Sequence, residues 1–461
     1  MKKLTLYTLS LLLCCLAPAY AQKQTPPEGG KPKDFKLPNK EEGSLDNGLG
    51  YTLVPYGAVP KAQVSLVVKT GNIHEAENEV WLSDFMGNLM KEGTLTTKGK
   101  DLSLRMARMG GDLNINVDPN TTTISGNVLS EFVPELIQLI ADVVQNPAFP
   151  ESEAERLKND LKRQLSVSSN TPQSQASSRF FALMYPEHSY GRIFPTQEMI
   201  EGFTAAKARQ FYETNFGARR SVLYVAGKFN KAQAEEAIRA SFSGWLQGPE
   251  PKYPTPTAQP SQEVAVIDRP NAPQSTLMLG LPVIDPSQPD YLPLQVTNAL
   301  LGGSFGSRIT SNIREDKGYT YSPFSTVNVR KGAAVWYEQA DVTTEHTQAS
   351  LQEITKEVKR LQQEAPTAAE LEGIQNYQAG IFVLQNSTPQ GIIGQLNFLD
   401  LHGLPDSYLT NYVQNVYAIT PEKVKEMTAK YLDTQKMTLV VVGDKKEIEK
   451  QMKGDQSLKV N

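Results

Sequence analysis

Hydrophobic positions recur along this chain with two periods, and the switches between them outline its elements. The run at 62–71 (AQVSLVVKTG), rich in β-branched residues, and its counterpart at 275–283 (STLMLGLPV) predict strands. A stretch at helical spacing follows each, at 78–92 and 289–302; in the first, Val80, Leu82, Phe85, Met86, Leu89 and Met90 form one apolar stripe. Residues 111–118 and 121–129 then alternate apolar with polar, the period of antiparallel strands with one wet face. Helices are expected at 130–146, where Leu136, Leu139, Ile140 and Val143 share a stripe, and at 152–169. A helix running into a short apolar strand, SVLYVAG or MTLVVVG, closes the series.

This series occurs twice. NTPQSQASSRFFALMYPEHSY (170–190) aligns with STPQGIIGQLNFLDLHGLPDSY (387–408), and the segment 204–230 aligns with 419–446. Pro172 matches Pro389 at an offset of 217, and Gly227 matches Gly443 at 216, so two separate anchors agree within one residue. Five prolines at 246–262 form a stiff connection between the copies. The fold class expected is α+β: two homologous domains, at 45–245 and 266–455, each a mainly antiparallel sheet covered by helices, joined by a 246–265 linker and facing across a cleft.

Composition changes this picture at the N-terminus. Residues 1–21 have a basic start, an apolar run from Leu4 to Leu16 and a small-x-small ending, the pattern of a cleaved secretory signal, with periplasmic delivery as the expectation. Both cysteines, Cys14 and Cys15, lie inside it, so the mature chain would have no thiol; a lipid anchor on either is the alternative reading. Residues 22–44, rich in Pro, Gly and Lys, read as a flexible tether. The formal charge of −4 and the absence of Lys/Arg clusters argue against nucleic acid as a partner. No run after the leader is long enough for a transmembrane segment.

The helix at 79–94, EVWLSDFMGNLMKEGT, has the spacing of a metal-binding helix and ends in Gly-Thr. With the duplication and the Pro-rich linker, it resembles the M16 zinc peptidases (pitrilysin, insulinase, mitochondrial processing peptidase), specifically the two-domain M16B type, across 43–452. The resemblance implies an M16 metallopeptidase-like (LuxS/MPP-like) fold and an inverted zinc motif, HxxEH, in this helix: two histidines four apart hold the metal and the glutamate serves as general base. Here Asp84, Gly87 and Asn88 occupy those three positions, and Gln164 falls where the third ligand, a glutamate, is expected. The four histidines, His74, His188, His346 and His402, lie far apart in sequence and offer no replacement pair. Asp84 with Asn88 could weakly hold a hard cation; a plain structural helix is the other reading. The expectation is that this chain binds no metal and that zinc belongs to a partner.

The second copy contains LLGGSFGSRITSNIREDKGYTYSPFS (300–325). Active M16 enzymes carry an arginine and a tyrosine seven apart in a region of this pattern, and Arg314 and Tyr321 match them. A guanidinium and a phenol can donate to a peptide carbonyl and to the oxyanion formed during attack. A surface ion pair of Arg314 with Glu315 or Asp316 beside a packed tyrosine is the alternative that the residues themselves leave open. Gly302, Gly303 and Gly306 suit a turn where backbone passes close to its neighbours; without a following Lys-Ser or Lys-Thr they do not make a nucleotide loop. The resemblance implies a non-catalytic, substrate-binding subunit of a secreted heterodimeric zinc peptidase acting on peptides, with an HxxEH-bearing M16B sibling as partner. An inert scaffold or peptide-binding protein is the alternative. No G-x-S-x-G elbow and no cysteine after the leader point to other hydrolytic chemistry.

Overall fold

The computed structural model describes residues 35–453. Two sheets organise them. The first holds β1 (Glu41–Ser44), β2 (Gly50–Pro55), β3 (Lys61–Val68), β4 (Asn114–Val117), β5 (Thr122–Leu129) and β6 (Ser221–Gly227), in the order β1-β2-β6-β3-β5-β4. The second holds β7 (Val264–Asp268), β8 (Gln274–Val283), β9 (Phe324–Arg330), β10 (Ala333–Thr343) and β11 (Thr438–Gly443), in the order β7-β11-β8-β10-β9. Without β1 the two orders are the same order. Even the lone parallel pair is repeated, β2 with β6 and β7 with β11. The duplication seen in sequence is therefore a duplication of topology, and the class is two α+β domains.

Central strands are buried along almost their whole length because both faces of each sheet are covered, so β3 and β11 show no alternation. On one face lie helices from the same half. Leu82, Phe85, Leu136, Ile140 and Ile238 pack on the first sheet, and Leu294, Leu351, Val358 and Val424 pack on the second. The other face is covered by exchange. The Pro172–Met184 helix of the first half lays Phe180 and Met184 against Met278, Val440 and Val442 of the second sheet. Reciprocally, the Pro389–His402 helix of the second half sets Ile392, Ile393 and Leu396 against Val54, Val67 and Tyr224 of the first. Both exchanged helices start alike: Thr171 and Thr388 accept from the amides of Ser174 (3.2 Å) and Gly391 (3.0 Å), with proline next in line. Each fully buried Leu, Ile or Phe in these interfaces contributes about 1.5–3 kcal/mol, so the halves are bound to each other as strongly as parts of one core.

Several sequence boundaries shift for local reasons. The helix expected at 78–92 runs Leu82–Lys91, because Trp81 takes a left-handed conformation (φ 71°) that no α-helix continues through. That expected at 130–146 opens with a 3₁₀ turn at Ser130–Phe132 and becomes α-helical at Val133–Gln145. The tether reading of 22–44 fails at its end. Glu41–Ser44 pair antiparallel with β2 through backbone hydrogen bonds that need no apolar side chains, and Phe35 sets its ring 5.0 Å from that of Phe382. The linker at 246–262 has no helix or strand but is tied down: carbonyls of Lys252 and Pro254 meet the rings of His74 (2.9 Å) and His188 (3.3 Å). The leader with Cys14 and Cys15 lies outside the described residues. Among those described, no helix is long and apolar enough to cross a membrane.

Candidate functional site: a filled pocket and an exposed arginine–tyrosine pair

The Leu82–Lys91 helix is capped from a distance. Glu75 accepts from the backbone amides of Trp81 (3.0 Å) and Ser83 (2.9 Å), from the Ser83 hydroxyl and from the Asn72 side-chain amide (3.1 Å). These bonds satisfy amides that a helix start leaves open. Burial drives the Glu75 carboxyl up to about 7 despite the donors around it. Asp84 accepts from the same Asn72 amide (2.8 Å), and burial, with the charge of Asp118 nearby, raises it to about 6. The acid at the first ligand position is thus tied into the helix start and partly protonated near neutrality.

Gly87 shows what became of the glutamate position. A Cβ built there would lie 3.3 Å from Val117 and 3.4 Å from Ile115, both on β4, so a side chain at 87 fits only if β4 gives by a few tenths of an ångström. Ile115 is itself part of the first core. Asn88 is half-buried, and Gln164 points from the Glu151–Ser169 helix into solvent. Among the described residues no three His, Cys, Asp or Glu converge as a metal site would require. The histidines are spoken for singly: His74 lies against Arg220 and is lowered to about 4 by burial and that charge, while His346 stacks on Tyr319 at 4.2 Å. A glycine, a neutral amide, a carboxyl held by its neighbour and an exposed amide do not fit zinc, which wants charged or imidazole donors in a tetrahedron.

The second half holds the other candidate residues on a rigid support. After the Tyr291–Leu301 helix the chain turns at 302–306. Ser307 then starts a single helical turn that widens into a π-turn at Ser311–Asp316, a feature frequent at functional sites. Arg308 fixes this segment by a two-pronged bond to Glu370 (2.7 and 2.9 Å), and Asn312 donates to Glu353 (2.9 Å) and Glu357 (2.8 Å). Arg314 follows, half-buried, its side chain 25% exposed. Its Nε lies 3.0 Å from Glu315, and its guanidinium lies within reach of two rings, Phe305 (4.5 Å) and Tyr321 (4.8 Å). So the structure brings Arg314 and Tyr321 together, and the ion pair to Glu315 exists beside that arrangement. The packed-tyrosine alternative does not hold, since Tyr321 is 78% exposed. Its neighbour Thr320 donates to the Asp341 carbonyl (2.7 Å), which fixes where the tyrosine starts.

The loop glycines divide. A Cβ at Gly302 would meet Ser325 at 2.5 Å and Glu338 at 2.6 Å, and one at Gly303 would meet Asn298 at 2.4 Å, so both are close-approach positions. Gly306 has open space around it and is not required for packing, contrary to its sequence reading. Beneath Gly302 lies Glu338, on the face of β10 that also carries Trp336 and Ala340; it is fully buried, and both its oxygens lack a partner among the described residues. Burial alone raises its carboxyl well above 4.5. The folded state therefore keeps a proton that the unfolded chain releases, and this contribution is complete below 4.5 and lost as pH rises towards the folded value. Glu338→Gln keeps the shape without the proton. Its denaturation midpoint is expected to equal that of the parent near pH 4 and to exceed it increasingly as pH rises above 4.5; parallel pH profiles for the two proteins would contradict this.

The two α+β domains share one topology, and one of them carries the arginine–tyrosine pair. The chain belongs to peptidase family M16. The insulinase (peptidase family M16) model matches residues 55–194, and the peptidase M16 inactive domain model matches 202–377. An uncharacterized zinc protease of Bacillus subtilis is 22% identical over 402 residues, covering 87% of this chain and 97% of its own. Two solved structures share the fold. The peptidase M16 inactive domain from Pseudomonas fluorescens has a TM-score of 0.80 at 24% identity, over 88% of this chain and 98% of that one. A protease from Helicobacter pylori has a TM-score of 0.81 at 20% identity, over 88% and 100%.

Proposed function

We propose that this chain is the non-catalytic, substrate-binding subunit of a secreted heterodimeric M16B zinc peptidase, and that Arg314 and Tyr321 complete the active site of an HxxEH-bearing sibling. The observation that carries the reading is the contrast between the two halves: Gly87 packs where a general base would project, while Arg314 and Tyr321 stand side by side at the surface. The ion pair and ring contacts of Arg314 all lie within its own half, which suits a pair offered to another molecule. In such an assembly zinc sits in the partner. The guanidinium and phenol of this chain hold the scissile carbonyl of an extended peptide and stabilise the oxyanion as it forms. Secretion to the periplasm rests on the leader at 1–21.

The test is reconstitution. Mixed with an HxxEH-bearing sibling encoded nearby, this chain is expected to give chelator-sensitive cleavage of a fluorogenic peptide that neither chain supports alone. Equal cleavage by the sibling in its absence would refute the reading in favour of an inert scaffold.

A further inference from the structure

Phe305 is 67% exposed, at the tip of the 302–306 turn, with nothing packed against the neighbouring Gly306. It belongs to neither core, so folding does not explain a phenylalanine there. What it touches is Arg314. Phe305 and Tyr321 lie within cation–π range of the same guanidinium, and the Glu315 carboxylate lies 3.0 Å from its Nε as an ion pair. The faces of a guanidinium do not form hydrogen bonds; its edge does. Both rings lie within reach of the guanidinium, and among the described residues its terminal Nη1 and Nη2 groups have no hydrogen-bond partner, so they are donors open to a ligand.

The geometry points to Phe305 as a positioning residue that holds the Arg314 guanidinium in place for a peptide carbonyl or oxyanion. This rests on the proposed function for what Arg314 contacts, but not for how Arg314 is held. An arginine side chain otherwise samples many rotamers, and the ring contacts reduce that freedom before the ligand arrives. The turn that carries Phe305 is itself fixed: Ser307 N donates to the Ser304 carbonyl (3.1 Å), and Gly302 and Gly303 sit tightly on Ser325 and Asn298.

Two measurements test it. In the isolated chain, the Arg314 side-chain Nε–H proton resonance, assigned through Arg314→Lys, should lose its ring-current shift in Phe305→Leu and keep most of it in Phe305→Tyr. In the reconstituted peptidase, Phe305→Leu should lower kcat roughly 2- to 30-fold with KM little changed, the range an arginine–aromatic contact supports. Phe305→Tyr should restore kcat, and Phe305→Leu should cost nothing further once Arg314 is alanine. A structural role would instead be rescued by leucine, which fills similar volume without a π-face. If Arg314→Ala impairs the peptidase while Phe305→Leu behaves as the parent in both measurements, the positioning role is wrong and the proposed function stands. If Arg314→Ala has no effect on turnover, the proposed function fails; the resonance measurement then still decides whether Phe305 holds Arg314.

Discussion

Arg314→Ala is expected to lower turnover of the proposed heterodimer by roughly 10²–10³-fold, the loss typical when one preorganised oxyanion donor is removed. The donors at stake are the terminal guanidinium nitrogens, which develop their full effect only when the partner closes over the site and excludes water. The loss should fall on kcat, because a bond that strengthens as charge accumulates on oxygen separates the transition state from the bound peptide. Lysine should not rescue: it can supply charge but neither a planar fork nor a flat face for Phe305 and Tyr321 to cover. Tyr321→Phe should cost less, about tenfold, since it removes one hydroxyl donor and keeps the ring. Folding should be untouched by either change. The Arg314–Glu315 pair is solvent-exposed enough to contribute about 0–1 kcal/mol, and Tyr321 is exposed. The measurement is steady-state cleavage of a fluorogenic peptide by the mixed subunits, with thermal melts of each variant alongside; unchanged kcat in Arg314→Ala would refute the assignment.

The residues that could be read from sequence are those whose surroundings are local. Arg314 and Tyr321 lie on one short segment, so a spacing of seven already placed them near each other, and the Gly318 turn (φ 66°) between them does the rest. The duplication was legible for a similar reason. Pro172 and Pro389 mark the same helix start, and Gly227 and Gly443 the same strand end, in both copies. What escaped the sequence depends on contacts between distant segments. Both exchanged helices are apolar enough to be buried, but nothing in their period says that each covers the other half's sheet. Glu75 is an ordinary acid in sequence; only the fold brings its carboxylate to the amides of Trp81 and Ser83. Glu338 left a faint trace, a charge sharing strand parity with Trp336 and Ala340, which marked an acid turned into the core. Phe305 left none, because an exposed phenylalanine in a glycine-rich turn has no period to betray it.

The filled pocket gives the other large expectation. Writing the family's ligands back into the helix, as Asp84→His, Gly87→Glu and Asn88→His together, should not yield a zinc protein. A glutamate at 87 places its Cβ 3.3 Å from a Val117 methyl and 3.4 Å from an Ile115 methyl, so β4 must shift before it is accommodated. Overpacking is expected to destabilise the triple variant by about 1–3 kcal/mol. Histidine at 84 would also give up the bond that Asp84 accepts from Asn72, leaving that amide with Glu75 and Ser83. The two β4 residues, not only the lost histidines, therefore stand between this helix and a metal. Trimming them as Ile115→Ala and Val117→Ala, and adding Gln164→Glu as third ligand, should open the space and let zinc bind near one equivalent, with a melting point that falls on chelation. Metal content after dialysis and melts with and without chelator distinguish the cases. One equivalent of zinc in the triple variant alone would mean that β4 yields easily, and that the loss of three side chains was all that separated this domain from a working site.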